Sequence, residues 1–322
     1  MLVLAFPVHV QPPQPRSPAE SGAVSATSLD VSFCKLDARA TFRALLHYLP
    51  VSLAVREIMR MRALAEAGRL PTPLLDIGCG DGLFWEVLTR DLTSGRSSGV
   101  RGLVGVDISE SELRLASLRL SPLGGEVHAF DISHDGKERA LDDRLGAFET
   151  VIANCSLEHV PKLEVALENI KRYLAPKGEL WLFVPAPRWS DTFVVKRALR
   201  ALGSRAAGTY GGMWDGFYQH HHLYPAWVWS HLLKGLGFEI EIRGLGCARG
   251  NRLAELWLPP ALMSFVYKSV FGHYPARLSR PFKLPLLPRM SAYLDEVQRG
   301  EVITSDLEHP EVVEYAIRCR RA

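Results

Sequence analysis

The sequence predicts an α/β fold in which a doubly wound, mostly parallel sheet is covered by helices on both faces. Between residues 71 and 185, short apolar runs alternate with stretches whose apolar residues recur at helical spacing. Strands that alternate with helices are typical of βαβ units, which build parallel sheets. A glycine-rich turn, LLDIGCGDG, directly follows the first apolar run. Ligands bind at this position in open α/β sheets, so the turn predicts a ligand site at the carboxyl ends of the strands.

The remaining segments are expected to be additions to this single core, because a chain of this length has room for one large domain with extensions. The start is rich in Pro, Ser and Ala, which disfavours a packed core. The connection after residue 185 is longer than the usual 2–6 or so residues and so predicts an insertion. The segments predicted, in order, are a disordered tail (1–28), an N-terminal helical extension (29–70), the α/β core (71–185), a lid that lines an acceptor pocket (186–224), the end of the sheet (225–258) and a C-terminal helical addition (259–322).

Composition and charge are those of a folded soluble protein. Of the 322 residues, 47% are hydrophobic and 23% charged, and the net charge is +3. This balance does not indicate a nucleic-acid partner, which would call for a more basic surface. The apolar start MLVLAFPVHV lacks a basic region and is too short to span a bilayer, so no signal peptide is expected. Five scattered cysteines without a CxxC pair favour a reduced, cytoplasmic compartment.

The glycine-rich turn also carries negative charge. Gly78, Gly80 and Gly82 allow the backbone to approach a ligand closely and to adopt positive φ. A dinucleotide fingerprint would place the third glycine one position later, where the sequence has Leu. Asp76 and Asp81 would repel a pyrophosphate and attract a cation. The turn therefore predicts a ligand with an ammonium or sulfonium group and disfavours an NAD site.

Several motifs in order resemble those of the class I S-adenosylmethionine-dependent methyltransferases. LLDIGCGDG resembles motif I of that family, and VGVDIS, HAFDIS and ETVIANCSLEHV follow in the family's order. The resemblance covers about residues 74–185 and resumes at HHLYPAWVWSHLLKGLGFEIEI. It implies a Rossmann-like sheet of seven strands and S-adenosyl-L-methionine as the cofactor.

The resemblance also implies roles for individual residues. Asp107 would accept hydrogen bonds from both ribose hydroxyls, and Asp131 would contact the adenine amino group with Ile132 beside the ring. Asp131 could instead cap the turn that follows it. Residues 154–159 would flank the methionine end. The cofactor-binding residues expected are Asp76, Gly78, Cys79, Gly80, Gly82, Asp107, Ile108, Asp131, Ile132 and Asn154, with no chemistry assigned to the Cys79 thiol.

Candidate catalytic residues lie in the stretch YGGMWDGFYQHHHLYP. Tyr210, His220 and His222 follow the fifth strand, where the family usually builds its acceptor pocket. In an extended segment His220 and His222 share a face. Three successive histidines cannot easily converge on one ion, so no metal is predicted. A structural role for these histidines is the alternative, and His159 is expected to have a supporting role.

Two segments outside the core favour an acceptor with apolar character. Residues 189–208 combine apolar side chains at helical spacing with basic ones, and residues 251–274 are strongly apolar but contain charges and prolines unsuited to a spanning helix. Basic amphipathic helices beside an apolar segment could make peripheral contact with a membrane. A helical cap over an apolar pocket, or a dimer face, is the alternative, and the oligomeric state stays open.

The predicted function is transfer of a methyl group to a small, apolar or lipid-like acceptor. A sulfonium is a good leaving group, so catalysis needs in-line positioning, and a base only if the nucleophile carries a proton. Two alternatives remain. The chain could be a catalytically silent cofactor-binding or scaffold protein, or an NAD-dependent enzyme, which the glycine spacing disfavours.

Overall fold

The computed structural model describes residues 60–61, 64–65, 67–86, 102–134, 139–246, 266, 270 and 302–321. The predicted tail, most of the N-terminal extension and nearly all of the apolar segment 251–274 lie outside the described residues. The strands are β1 (Leu74–Ile77), β2 (Leu103–Asp107), β3 (Glu126–Ala129), β4 (Phe148–Asn154), β5 (Leu174–Pro185), β6 (Phe238–Gly246), β7 (Val302–Thr304) and β8 (Val312–Arg321). The α-helices are α1 (Glu110–Leu120), α2 (Leu163–Tyr173), α3 (Val194–Arg200), α4 (Ser204–Tyr218) and α5 (Ala226–Gly235). Short 3₁₀ turns cover Ser121–Leu123, Arg139–Arg144, Leu157–His159 and Trp189–Thr192.

The sheet confirms the doubly wound prediction. Its strand order is β3-β2-β1-β4-β5-β8-β6-β7, and the first five of these strands are parallel. From β1 the chain builds outward to β2 and β3, then returns to the other side for β4 and β5. The direction of winding therefore reverses between β1 and β4. Ligands bind at such a switch point, outside the carboxyl ends of the strands.

Helices cover both faces because neighbouring strand residues point in opposite directions. Leu75 faces a core that includes the buried stripe of α2, formed by Leu163, Ala166, Leu167 and Ile170. Leu74 faces a second core with Ala116 and Leu120 of α1. The four residues of β1 are all buried, as expected for a strand of a covered parallel sheet.

Residues 302–321 form strands, which corrects the last part of the predicted helical addition (259–322), whereas nearly all of residues 259–301 lie outside the described residues. Val312–Arg321 is a ten-residue strand that runs antiparallel between β5 and β6. The sheet thus ends within residues 302–321 instead of residues 225–258. The three-residue β7 at the edge makes it an eight-stranded sheet, one more than predicted. Glu314 and Arg318 interrupt the apolar pattern of β8, although both are buried.

The segment predicted to be a lid forms a 3₁₀ turn followed by α3 and α4. Trp189, Phe193 and Trp214 pack together against Val313 of β8. The amide of Ala186 donates to the carbonyl of Val313 at 2.9 Å, which fixes the start of this segment at the end of β5. Its action as a lid stays a prediction. Among the helices in the described part of the chain, none has the length and apolar character needed to cross a bilayer.

Candidate functional site

The glycine-rich turn lies between β1 and the carboxyl end of β2. Gly78, Gly80 and Gly82 have φ values of 77°, 54° and 71°, in the left-handed region that favours glycine. The amides of Gly78 and Cys79 donate to the Val106 carbonyl at 2.8 and 3.0 Å. These bonds hold the turn against the end of β2, and its contact with a ligand stays a prediction.

The three glycines differ in what surrounds them, whereas the sequence predicts one role for all. A Cβ atom at Gly78 would lie 2.5 Å from Cβ of Ser156, and one at Gly82 would lie 3.2 Å from Cα of Ala116 in α1. A Cβ atom at Gly80 would have no neighbour within 4 Å. Gly78 and Gly82 therefore allow close packing within the protein. Gly80 leaves open the space that a ligand would fill.

Asp107 is fixed at the end of β2 by its own backbone surroundings. Oδ2 accepts a hydrogen bond from the Gly80 amide at 2.9 Å, and Oδ1 accepts one from the Ser109 amide at 2.9 Å. A carboxylate oxygen has two lone pairs, so each oxygen retains capacity for a hydroxyl donor. The next residue, Ile108, is 76% exposed. A fixed carboxylate beside an exposed apolar side chain fits a ribose and its adenine base.

Asp76 lies beneath the turn in a buried position. Trp85 Nε1 donates to its Oδ2 at 2.5 Å. Burial raises the pKa of Asp76 to about 7, although the Trp85 hydrogen bond opposes the shift, and Asp107 raises it further. A bound cation nearby would favour the charged form of the carboxyl group. The free protein therefore holds Asp76 partly protonated at neutral pH, and binding of a cationic cofactor is expected to ionise it.

Cys79 has no reactive character. It is 8% exposed, and burial raises the pKa of its thiol far above the usual range, with the neighbouring Asp76 adding to the shift. A thiol of this kind stays protonated and is not a nucleophile. The structure thus agrees with the assignment of no chemistry to this residue.

The residues after β3 depart in part from the expected adenine site. Asp131 Oδ1 accepts from the Ser133 amide at 2.8 Å and from the Ser133 hydroxyl at 2.7 Å, which is the turn-capping alternative. Ile132 is 4% exposed and packs in the core with Phe130, so little of its side chain could face a ring. Ile108 is the more accessible apolar residue. The sequence identifies Ile132 as an apolar residue after β3. It does not show whether the side chain points into the core or towards a ligand.

Asn154 ends β4 at the centre of the sheet. Its neighbour Ala153 pairs with Ile77 of β1, and Asn154 itself pairs with Phe183 of β5. Cys155 follows with φ of 50°, an unusual conformation for a residue other than glycine. The strand therefore delivers Asn154 to the edge where the glycine-rich turn lies, as predicted.

The histidine segment lies against the turn that follows β4. The Glu158 carbonyl accepts hydrogen bonds from the amides of His221, at 2.7 Å, and His222, at 3.2 Å. The segment after α4 thus reaches back to the carboxyl end of the parallel strands. This brings the predicted acceptor residues to the same edge of the sheet as the predicted cofactor site.

His222 is held in a way that does not suit a catalytic base. Its Nε2 lies 2.6 Å from the Val160 carbonyl oxygen, and its Nδ1 lies 3.1 Å from the Tyr224 hydroxyl. A carbonyl only accepts, so Nε2 carries the proton and Nδ1 accepts from Tyr224. Burial lowers the pKa of His222, which keeps the ring neutral. With both nitrogens engaged, His222 joins two segments, which favours the structural alternative, and its catalytic role stays a prediction.

His220 and Tyr210 belong to an aromatic cluster. The ring of His220 stacks on those of His159, at 5.4 Å and 23°, and Tyr218, at 5.6 Å and 14°. Tyr210 packs edge-on against Trp214 at 6.4 Å. Because Trp214 and Tyr218 separate the two rings, the structure does not bring Tyr210 and His220 together as a catalytic pair.

His159 has the nitrogen that is better placed for chemistry, and the sequence predicts only a supporting role for it. Its Nδ1 lies 3.2 Å from the Gln219 carbonyl, so Nδ1 carries the proton and the lone pair is on Nε2. Partial burial lowers the pKa of His159 to about 4, and His220 adds to the shift. At neutral pH the ring is therefore an uncharged hydrogen-bond acceptor at the strand ends.

Glu158, His159 and His220 form a group of possible ligand atoms that lie within 4.8 Å of one another. Glu158 is 1% exposed, and its Oε1 lies 3.7 Å from His159 Nε2. The sequence pattern indicates only the three successive histidines as metal candidates and does not show this grouping. The Glu-His pair directly after β4 is the signal that could have indicated it. The expectation of no metal stays a prediction.

With this geometry in place, comparisons with known proteins decide the family. A family model described as a methyltransferase domain matches residues 45–241, which is more than half of the chain. The chain belongs to this methyltransferase family. The resemblance seen in the motifs is thereby confirmed, together with the class of enzyme and S-adenosyl-L-methionine as its cofactor.

Individual relatives are more distant. The chain is 27% identical over 166 residues to a highly reducing polyketide synthase from Gibberella moniliformis, covering 51% of the chain and 6% of that protein. It is 31% identical over 109 residues to a ubiquinone biosynthesis O-methyltransferase from Dechloromonas aromatica, covering 34% of the chain and 42% of that protein. A putative sarcosine dimethylglycine methyltransferase from Galdieria sulphuraria is a structural neighbour with a TM-score of 0.45 and 13% identity, covering 82% of the chain and 87% of that structure. The chain spans less than half the length of the two curated relatives.

The different surroundings of the glycines give a direct test of the cofactor site. We expect Gly80→Val to abolish S-adenosyl-L-methionine binding, because its side chain would fill the open space beside the turn. Gly124→Val is the matched control, since Gly124 also has positive φ, of 74°, and no atom within 4 Å of an added Cβ. Both changes place a side chain in the left-handed region, at a cost of about 1–2 kcal/mol or more.

Isothermal titration calorimetry and thermal unfolding measure the two effects separately. Similar losses of stability with cofactor binding lost only in Gly80→Val would support the assignment. Unchanged affinity in Gly80→Val would remove Gly80 from the cofactor site.

Proposed function

We propose that this protein transfers a methyl group from S-adenosyl-L-methionine to a small acceptor with a sizeable apolar portion. The observation that carries the proposal is the aromatic cluster next to the strand ends. Trp189, Tyr218, His159 and His220 pack ring against ring there, with centroid separations of 5.1 to 5.7 Å. Aromatic walls with few polar groups are typical of sites for apolar small molecules.

The cofactor would be held by the turn and by β2. Asp107 would accept hydrogen bonds from the ribose hydroxyls. Gly80 would let the backbone approach the cofactor, and Ile108 would cover one side of the adenine base. Asp76 would provide negative charge near the sulfonium group of the cofactor. When bound, S-adenosyl-L-methionine would supply a methyl group attached to a sulfonium sulfur, which is a good leaving group. The protein therefore needs mainly to align the acceptor with that methyl group.

His159 is the residue we propose to accept a hydrogen bond from the acceptor molecule. Its Nε2 lone pair is available at neutral pH because the pKa of the ring is lowered to about 4. A hydroxyl acceptor could donate a hydrogen bond to Nε2, which would orient the oxygen for attack. The lowered pKa disfavours a charged imidazole, so the ring would act as a neutral hydrogen-bond acceptor that positions the hydroxyl. O-methylation is thus the reaction that this arrangement favours.

The names of relatives agree with this class of acceptor. Ubiquinone biosynthesis O-methyltransferases and a polyketide synthase are among them. We infer from both lines of support that the acceptor is a small molecule with apolar character and not a nucleic acid. The catalytically silent alternative predicts cofactor binding without any methylated product.

Methyl-labelled cofactor and paired acceptors test the proposal. We expect label to enter a phenol that carries an alkyl chain in preference to a polar phenol of similar acidity. His159→Asn should lower kcat at least tenfold with cofactor affinity unchanged, because it removes the Nε2 acceptor. His231→Asn is the control, since His231 is exposed on α5 and should leave kcat unchanged.

Three results would contradict parts of the proposal. Activity confined to polar acceptors would exclude the apolar site. Full turnover in His159→Asn would exclude His159 as the hydrogen-bond acceptor that positions the hydroxyl. Tight cofactor binding with no product from any acceptor class would favour the silent alternative.

A further inference from the structure

The tip of the α3–α4 hairpin presents apolar side chains to solvent. We define the hairpin tip as residues 194–205, which comprise α3, the turn after it and the first residues of α4. None of the residues of α3 is buried. Val194 is 52% exposed and Leu202 80%. Helices on a soluble surface normally turn such residues inward, so this exposure calls for a partner.

The same tip is positively charged. Arg197, Arg200 and Arg205 are exposed, and residues 194–205 contain no Asp or Glu. The nearest acidic group that contacts the tip, Asp191, is paired with Lys196 at 2.9 Å and with Arg200 at 2.6 Å. The tip therefore combines exposed apolar groups with an excess of positive charge.

The base of the hairpin is firmly packed, so the tip is held in a defined position. Phe193 and Trp214 are each 1% exposed, and their rings meet edge to face at 5.0 Å. Lys196 donates to the Ser190 hydroxyl at 2.7 Å, which links α3 to the 3₁₀ turn before it. The rigid base and exposed tip are features of a built surface and not of a loosely packed segment.

We propose that the hairpin tip docks on an anionic lipid bilayer. Valine and leucine side chains can insert at the boundary between headgroups and acyl chains, while arginines beside them pair with lipid phosphates. A protein partner with an acidic groove, or a second copy of the chain, would need complementary negative charge at a matching position. The charge of the tip fits a diffuse anionic surface without such a match.

Docking would also explain where the acceptor comes from, and in this respect the inference rests on the proposed function. The hairpin starts directly after β5, at the edge of the sheet where the candidate site lies. An apolar acceptor dissolves in the bilayer, so a docked hairpin would place the site near the acceptor's source. The acceptor class is thereby narrowed to molecules that partition into membranes.

Vesicle co-sedimentation of the full chain tests the docking. We expect binding to vesicles of phosphatidylcholine mixed with phosphatidylglycerol, weakening as salt increases, and at least tenfold weaker binding to phosphatidylcholine alone. Leu202→Ser combined with Arg197→Gln and Arg205→Gln should reduce binding to the anionic vesicles at least tenfold. Leu118→Ser with Arg114→Gln is the control, because Leu118 is 75% exposed and Arg114 is exposed on α1, away from the hairpin.

Cofactor binding by calorimetry, measured on each variant, separates docking from folding and from catalysis. Unchanged cofactor affinity with lost vesicle binding in the hairpin variant supports the proposal. Equal binding to neutral and anionic vesicles, equal loss in the control variant, or no vesicle binding overturns it. A change of oligomeric state in the hairpin variant without lipid would assign the surface to a second copy and also overturns it. Methylation of a soluble acceptor without vesicle binding would contradict the docking and support the proposed function. Vesicle binding without any methylation would support the docking and contradict the proposed function.

Discussion

Asp107→Ala is expected to weaken S-adenosyl-L-methionine binding at least tenfold. The carboxylate would accept a hydrogen bond from each ribose hydroxyl, and charge-assisted bonds of this kind contribute roughly 1.5–3 kcal/mol each at best. The change also removes the acceptor of the Gly80 and Ser109 amides, at 2.9 Å each. It therefore removes the ligand contacts together with the bond that holds the glycine-rich turn, and the loss of even one such contact, about 1.5–3 kcal/mol, corresponds to at least a tenfold loss of affinity.

Calorimetry on Asp107→Ala and on a matched carboxylate variant checks this result. Asp131→Ala is the comparison, because Asp131 also follows a parallel strand but uses one oxygen to accept two bonds from Ser133. We expect the smaller loss there. A loss below threefold in Asp107→Ala would show that Asp107 does not hold the ribose, and a larger loss in Asp131→Ala would reverse the two roles.

The parallel half of the fold could be predicted because its signals are local. The strands β1, β2 and β4 are short runs of mostly buried residues, and α2 shows its buried stripe at three- and four-residue spacing. The glycine-rich turn lies within nine residues, so its position after β1 follows from the sequence alone. The residues expected to bind the cofactor also lie in short contiguous motifs, so their positions at the strand ends can be predicted in the same way.

The strand β8 could not be predicted because the partners of its charges are remote. Glu314 pairs with Arg60, 254 residues away in the sequence, and Arg318 pairs with Glu179, 139 residues away. Charged residues in a sequence pattern indicate a solvent-exposed face, so the charges of this segment favour the predicted helical addition over a buried strand. Only the sheet topology shows that β8 lies between β5 and β6.

The roles of the individual histidines on the acceptor side could not be predicted for the same reason. Spacing correctly indicates that His220 and His222 can share a face, but the atoms that decide their roles come from elsewhere. Val160, 62 residues away, accepts from His222, and Gln219, 60 residues from His159, fixes the tautomer of that ring. Periodicity identifies the face on which a side chain lies and carries no information on which distant group meets it.

Glu314→Gln is expected to destabilise the fold by about 3–5 kcal/mol, the usual cost of leaving a buried charge without its partner. Glu314 and Arg60 are 6% and 1% exposed, and both carboxylate oxygens accept from the guanidinium, with Nη2 to Oε2 at 2.6 Å. The Arg60 guanidinium also lies 5.5 Å from the Phe183 ring centre. The neutral amide would leave the guanidinium charged in a buried environment.

Urea unfolding distinguishes loss of the pair from loss of packing. Arg60→Met combined with Glu314→Leu should recover most of the stability lost in Glu314→Gln, because apolar side chains of similar size can replace a buried ion pair with little penalty. Glu126→Gln is the control, since Glu126 is half exposed and pairs with Arg144 at 2.6 Å on the surface. Surface pairs contribute about 0–1 kcal/mol, so this variant should unfold almost as the parent does.

If Glu314→Gln and Glu126→Gln lost similar amounts of stability, the buried Arg60–Glu314 pair would contribute no more to stability than a surface pair. If the double variant stayed as unstable as Glu314→Gln, the cost would come from packing around Phe183 instead of the unpaired charge.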